Sequence, residues 1–207
     1  MKIYDVSMTI ENQMQVYKNK DDKRPNIETT RDFETSSAME SKITMDMHTG
    51  THLDMPLHFV EGGNSLETLD LNRVFTKCRV LDFTHINDKI TRNDLEDKEF
   101  KGNSFILLKT KNSLIDDFDF KFIYLAEDGA KYLKEKNIYG VGIDSLGIER
   151  DQPEYGTHKT LLEAKIIIIE GLRLKDISEG DYTLVALPLK IKGVEAAPLR
   201  AVLIEDI

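Results

Sequence analysis

Tryptophan is absent from the 207 residues, cysteine occurs once and histidine only five times. A single cysteine excludes an intramolecular disulfide framework. Cys78 sits in the apolar run KCRVLDF and reads as a core position of a reduced protein. No stretch approaches the ~18 consecutive apolar residues of a membrane span. The opening MKIYDVSMTI alternates polar and apolar residues as a first strand does, and lacks the apolar centre of a signal peptide. Basic charge is also in short supply. Lys and Arg number 28 against 37 Asp and Glu, a net charge of −9, with no basic stripe to neutralise phosphates. These absences argue against nucleic-acid and membrane partners and predict a cytoplasmic protein. With no internal repeat, low-complexity tract or Pro/Gly-rich linker, residues 1–207 read as a single domain. A chain of this length buries about 70% of its unfolded surface, enough to fold without a structural metal.

What is present is mostly alternation. IETTRDFE and SKITMDMH read as two long strands after an exposed loop, NKDDKRP. CRVLDF, SFILLKT, YGVGID, KIIIIEG, DYTLVALPLKI and PLRAVLIED add further strands. In TRNDLEDKEF, Thr91 and Asp94 are placed as a capping box for a short helix. LAEDGAKYLKEKN carries helical spacing, and GTHKTLLEA reads as a helix opened by Thr157. Strands outnumber helices about two to one in this reading, giving an α+β (mixed β/α/β) domain. The glycine fingerprint and regular alternation of a doubly wound nucleotide-binding fold are missing.

Three of the five histidines fall within MHTGTHLDMPLH, Met47 to His58. His48, His52, Asp54 and His58 are all even-numbered and would share one face of a strand. A straight strand cannot make them one site, because it sets the Cα atoms of His48 and His52 about 13 Å apart. A helix is excluded by Thr49, Gly50, Thr51 and the nearby Pro56. The spacing therefore predicts a bend at Gly50 that lets His48, His52 and Asp54 converge; the alternative is a chance cluster in a surface loop. Two imidazoles and a carboxylate suit Zn²⁺, and also Mn²⁺, with positions left open for chemistry. His58 lies beyond Pro56 and is suited to relaying protons. His85, in FTHIND, reads as an ordinary surface or core histidine. His158, in the first turn of its helix, and Glu170, at the end of Ile166–Ile169, are the candidates for the other half of the site. The helix macrodipole would favour neutral imidazole at His158, and a carboxylate ending a buried strand is costly unless exposed, paired or metal-bound.

HTGTHLDMPLHF resembles the signature of the metal-dependent cyclase-like hydrolases, the family of bacterial kynurenine formamidase and isatin hydrolase, with every specified position present. YDVSMTI, LAEDGAKYLKEKNIYGVGIDSLGIE, THKTLLEAKIIIIEGL and LPLKIKGVEAAPLRAVL are similar to other segments of that family. The resemblance implies a compact domain with a barrel-like β core flanked by helices, usually a homodimer or homotetramer whose pockets are often finished by a neighbouring subunit. It implies that His48, His52 and Asp54 bind a first metal, that His158 and Glu170 complete a second position with a carboxylate bridging the two, and that His58 is the acid/base. One or two Zn²⁺ ions, or Mn²⁺, would activate water against an amide such as an aryl formamide or a small cyclic amide. A cyclase or dehydratase acting on a natural-product intermediate, and a catalytically silent metal-dependent binding module, are the alternatives. Two departures bear on substrate. Where formamidase-type members share an aromatic, Pro/Gly-containing loop, this region reads ENQMQVYKNKDDKRPN and the chain has no tryptophan, leaving Tyr17, Phe59 and Tyr155 to supply stacking. Glu195-Ala196-Ala197-Pro198 stands where relatives more often carry Asp-Gly.

Overall fold

A computed structural model describes residues 1–205, in which the alternating segments resolve into twelve strands and three α-helices. The strands are β1 (Lys2–Asp5), β2 (Asn26–Arg31), β3 (Glu40–Thr44), β4 (His52–Asp54), β5 (Phe75–Asp82), β6 (Lys89–Ile90), β7 (Phe105–Lys109), β8 (Tyr124–Leu125), β9 (Gly140–Ile143), β10 (Ile167–Glu170), β11 (Gly180–Pro188) and β12 (Ala196–Glu205). The helices are α1 (Arg92–Glu96), α2 (Glu127–Glu135) and α3 (Gly156–Glu163). Strands thus outnumber α-helices four to one rather than two to one. The excess lies in pieces as short as β6, β8 and β4, whose two or three residues carry no readable periodicity.

Seven strands close into a barrel in the order β12-β11-β5-β7-β9-β10-β4, and β4 returns to β12. Closure depends on the length of β12. Along one edge it pairs antiparallel with β4 through Ala196–Pro198 and with β1 through Val202–Glu205, while its other edge carries β11. The pairs β5–β7, β7–β9 and β9–β10 are parallel. Strand parity then sorts the side chains. Val80, Leu107, Ile167, Ile169, Leu53, Leu184 and Ala201 fill the interior with Cys78. Residues of opposite parity, such as Leu81, Ile106, Val141 and Ile168, pack outward against Leu133 of α2 and Leu161 and Leu162 of α3. This is the expected α+β domain with a barrel core.

Several boundaries differ from expectation. The two long early strands are shorter: β2 stops at Arg31, where Asp32 opens a turn by accepting from Thr35 and Ser36, and β3 stops at Thr44. Together they form an antiparallel ribbon apart from the barrel, with all but Ile27 exposed. Thr91 and Asp94 form the expected box, the Asp94 carboxylate accepting from the Thr91 backbone at 2.7 Å. Thr157 does not cap α3; it is the second helical residue, and the carboxylate of Glu149 accepts from its N–H at 3.0 Å. Asp206, the last residue of the expected final strand, lies outside the described residues. No helix among the described residues is long and apolar enough to cross a membrane.

Candidate metal centre

The register of β4 assembles the site. Its His52 stands opposite Glu170 of β10, and Asp54 stands opposite Ile168. Because Leu53 and Ile169 point into the barrel, His52, Asp54 and Glu170 face outward beneath α3. The chain reaches this register through the bend that the spacing predicts at Gly50, where φ is +64°. A Cβ on the neighbouring Gly171 (φ +70°) would lie 2.5 Å from the Gly50 carbonyl, so the two left-handed turns pass each other with no room for a side chain. Thr51 ties them together, donating to the Gly171 carbonyl at 2.6 Å and accepting from the Met8 N–H at 2.8 Å.

All six sequence-derived candidates converge. The Nδ1 of His48 is 3.1 Å from Asp54 Oδ1, and the Nε2 of His52 is 3.6 Å from the same oxygen and 3.3 Å from Glu170 Oε2. The Nε2 of His158 is 3.4 Å from Glu170 Oε1 and 3.9 Å from Asp54 Oδ2. The rings of His58 and His48 lie 4.3 Å apart. Ligand-capable atoms form two overlapping groups, His52–Asp54–Glu170 and His48–Asp54–His58, so Asp54 is common to both. This grouping differs from the one the resemblance implied. Glu170 sits with His52 because they are cross-strand partners, and His58 sits among potential ligands as well as beside them. His85 is exposed and apart from the site.

The donor set fits a cation. His52 Nε2 and both Asp54 oxygens are buried without a hydrogen-bond partner among the described residues, despite their close neighbours. Orphaned buried polar atoms are costly. Their separations also match those expected of ligands bound at 2.0–2.2 Å around one tetrahedral ion, about 3.4 Å. Tautomers are set from behind. His52 Nδ1 lies 2.9 Å from the Gly50 carbonyl, which can only accept, and His158 Nδ1 is hydrogen-bonded to the Glu149 carboxylate; both Nε2 atoms are thereby left facing the site. Glu149, which the sequence reading did not single out, is a buried carboxylate with four donors. Oε1 takes the Nδ1 and N–H of His158, and Oε2 takes the Thr157 N–H and Gln152 Nε2. Nine residues separate it from His158, so no local spacing reveals the pair.

Charge agrees with geometry. Burial opposes the imidazolium of His52, but its close contact with Glu170 and the charges of Asp54 and Glu170 outweigh this and hold it up at about 9. Burial likewise opposes charge on His158, yet Glu149 and Glu170 raise it to about 10, overriding the helix dipole that was expected to favour the neutral ring. Burial and the Glu170 charge push Asp54 up, but contact with His48 and the charge of His52 hold it below its usual range. Without a cation, protons supply the positive charge that these carboxylates demand. His58 differs: burial, which dominates, holds it below its ordinary value and hence neutral at pH 7. His48, His58, His158 and Glu170 line a cavity of ≈ 610 Å³. Tyr17, Phe59 and Tyr155 line it as expected, with Phe59 stacked on His158 at 4.5 Å. Glu195, one of the noted departures, reaches the site with Oε1 3.4 Å from His48 Nε2.

Comparison with known proteins gives the same picture. The Cyclase family model, described as "Putative cyclase", matches residues 4–150. The kynurenine formamidase of Bacillus cereus is 33% identical over 172 residues, 82% of each chain, and that of Bacillus anthracis is likewise 33% identical over 172 residues. A solved structure described as a "potential metal-dependent hydrolase with cyclase activity" is 52% identical with a TM-score of 0.90, covering 98% of this chain and 96% of the other. Isatin hydrolase A from Labrenzia aggregata shares the fold at 23% identity and a TM-score of 0.85, over 99% of this chain and 94% of the other.

Proposed function

The chain belongs to the Cyclase family, and on that premise we propose that it is a metal-dependent hydrolase of a non-peptide carbon–nitrogen amide bond. The observation that carries this reading is the buried, unpartnered donor set of His52 Nε2 and the two Asp54 oxygens, in contact with His48, His158 and Glu170, which themselves line an aromatic-walled cavity. His48, His52, Asp54, His158 and Glu170 would hold one or two cations, Zn²⁺ or Mn²⁺ by the chemistry of nitrogen and carboxylate donors. When bound, such a cation supplies Lewis acidity, lowering the pKa of a coordinated water and polarising a carbonyl. The chain's own residues do the rest. Gly50 and Glu149 hold the two imidazoles with Nε2 inward, and Phe59 and Tyr155 offer a face for a planar substrate. Neutral His58 takes a proton from the attacking water and returns it to the leaving nitrogen. We assign the substrate to aryl formamides, N-formylkynurenine of tryptophan catabolism among them, or to small cyclic amides.

Hydrolysis of N-formylkynurenine, isatin and a set of cyclic amides by protein reconstituted with Zn²⁺ or Mn²⁺ tests this assignment. Turnover of at least one is expected, and a metal-loaded protein inert on all would remove the class. We also assign the chain to the cytoplasm, in keeping with its buried free thiol. We further assign it to a homo-oligomer. A lone two-stranded ribbon is marginal in water, and the β2–β3 ribbon, with Ile43 on β3 and Phe33 and Met39 in its connecting loop exposed, is suited to cover from a second copy. Light scattering should return a dimer or tetramer.

A further inference from the structure

The wall between Glu149 and α3 is strained. Asp151, Glu154 and Tyr155 take φ values of +51°, +56° and +58°, a region costly for residues with a side chain. Residues 151–155 all line the cavity, so something must hold this backbone in place. Gln152 does so with its carboxamide. The oxygen accepts from the Glu127 N–H at the start of α2 at 2.9 Å, and the nitrogen donates to Glu149 Oε2 at 2.8 Å and to Thr157 Oγ1 at 2.7 Å. Thr157 spends its own proton on the Leu125 carbonyl at 2.8 Å, leaving its oxygen free to accept. The amide therefore has one workable orientation. Turned over, it would set NH₂ against an N–H and oxygen against a carboxylate.

We propose that Gln152 is a positioning residue of the metal centre: by donating to Glu149 it fixes the carboxylate that orients His158, and the same carboxamide seats the left-handed wall over the cavity. The inference rests on reading the centre as a cation site. Outer partners of ligating histidines contribute 10–100-fold in metal affinity. Glu149→Gln is therefore expected to weaken Zn²⁺ binding about 10–100-fold and Gln152→Met about 10-fold, measured by chelator competition on protein stripped and reloaded. Because Gln152 acts through Glu149, the double variant should bind no more weakly than Glu149→Gln alone, whereas independent structural damage would multiply. Wild-type affinity in Gln152→Met, or multiplying losses, overturns the proposal while leaving the metal centre standing. A wild-type protein that binds no Zn²⁺ overturns the underlying reading and this proposal with it. If Gln152→Met does not fold, Gln152→Ala removes the same donors without adding charge beside Glu149. It carries the same expected loss, and wild-type affinity there is equally fatal.

Discussion

Metal binding to this site should expel protons, by an amount the structure sets. In the metal-free protein His52 titrates at about 9 and His158 at about 10, and each ring has only Nε2 free to face the centre. At pH 7 both are imidazolium, and a cation that uses both nitrogens must displace two protons. These hold on by roughly two and three pH units respectively, about five powers of ten in affinity or about 7 kcal/mol between pH 7 and the deprotonated limit. The logarithm of apparent affinity should therefore rise about two units per pH unit up to pH ~9, about one unit between 9 and 10, and flatten above. Calorimetric titration of Zn²⁺ in buffers of different ionisation enthalpy at pH 7.5 counts the protons directly. Close to two are expected beyond those of the buffer and of the metal's own water. Fewer than one, together with an affinity flat between pH 7 and 8.5, would refute the argument that carboxylate-held imidazolium occupies the cation's place. The same values fix the sign for stability. Both lie above the 6.5 of free imidazole, so the charged pairs stabilise the metal-free fold fully below pH 6.5, and that stabilisation is lost as pH rises through 9 to 10. Metal-loaded protein should lack that decline.

Three substitutions probe the rest of the site. Asp54→Ala removes the residue common to both ligand groups and should abolish stoichiometric metal in elemental analysis, with the fold retained in circular dichroism. His58→Ala should keep the metal and lose at least about 100-fold in kcat, as loss of a general acid–base does; loss of metal instead would make His58 a ligand, which its 4.3 Å ring separation from His48 allows. Gly171→Ala puts a Cβ 2.5 Å from the Gly50 carbonyl in a left-handed backbone and should destabilise by more than about 2 kcal/mol in urea unfolding.

The first cluster of candidate ligands was legible in the sequence because its chemistry is local. His48, His52, Asp54 and His58 fall within eleven residues, and steric rules alone required the bend at Gly50 that the backbone makes at φ +64°. Cys78 in the core and the Thr91–Asp94 box were legible for the same reason. Glu149 and Gln152 were not. Their partners are the first turn of a later helix and the N-terminus of an earlier one, joined only when α2 and α3 pack side by side. The His158 charge state was misjudged likewise, since a helix dipole can be read from one segment but the Glu149 and Glu170 carboxylates come from two others. Barrel closure was legible only through the family resemblance and not through strand periodicity, because β4 has only three residues.

That short strand nonetheless decides whether a site exists at all. Side chains alternate across a strand, so a one-residue slip of β4 would turn His52 and Asp54 into the barrel interior and leave Leu53 facing α3. Three residues of ladder hydrogen bonding are too few to resist a slip that buries two ionisable groups in place of one leucine. Hydrophobicity does resist it, because Leu53 has interior contacts to lose, and so do the contacts on either side. Upstream, Gly171 lies against the Gly50 carbonyl with no space for a Cβ of its own, and Thr51 bonds to both Met8 and Gly171. Downstream, Met55 donates to the Glu195 carbonyl at 2.8 Å, and Pro56 ends the strand. The glycine, threonine and proline of HTGTHLDMP are thus not spacers between ligands. They fix the register, and the register is what presents two histidines and two carboxylates to a single point.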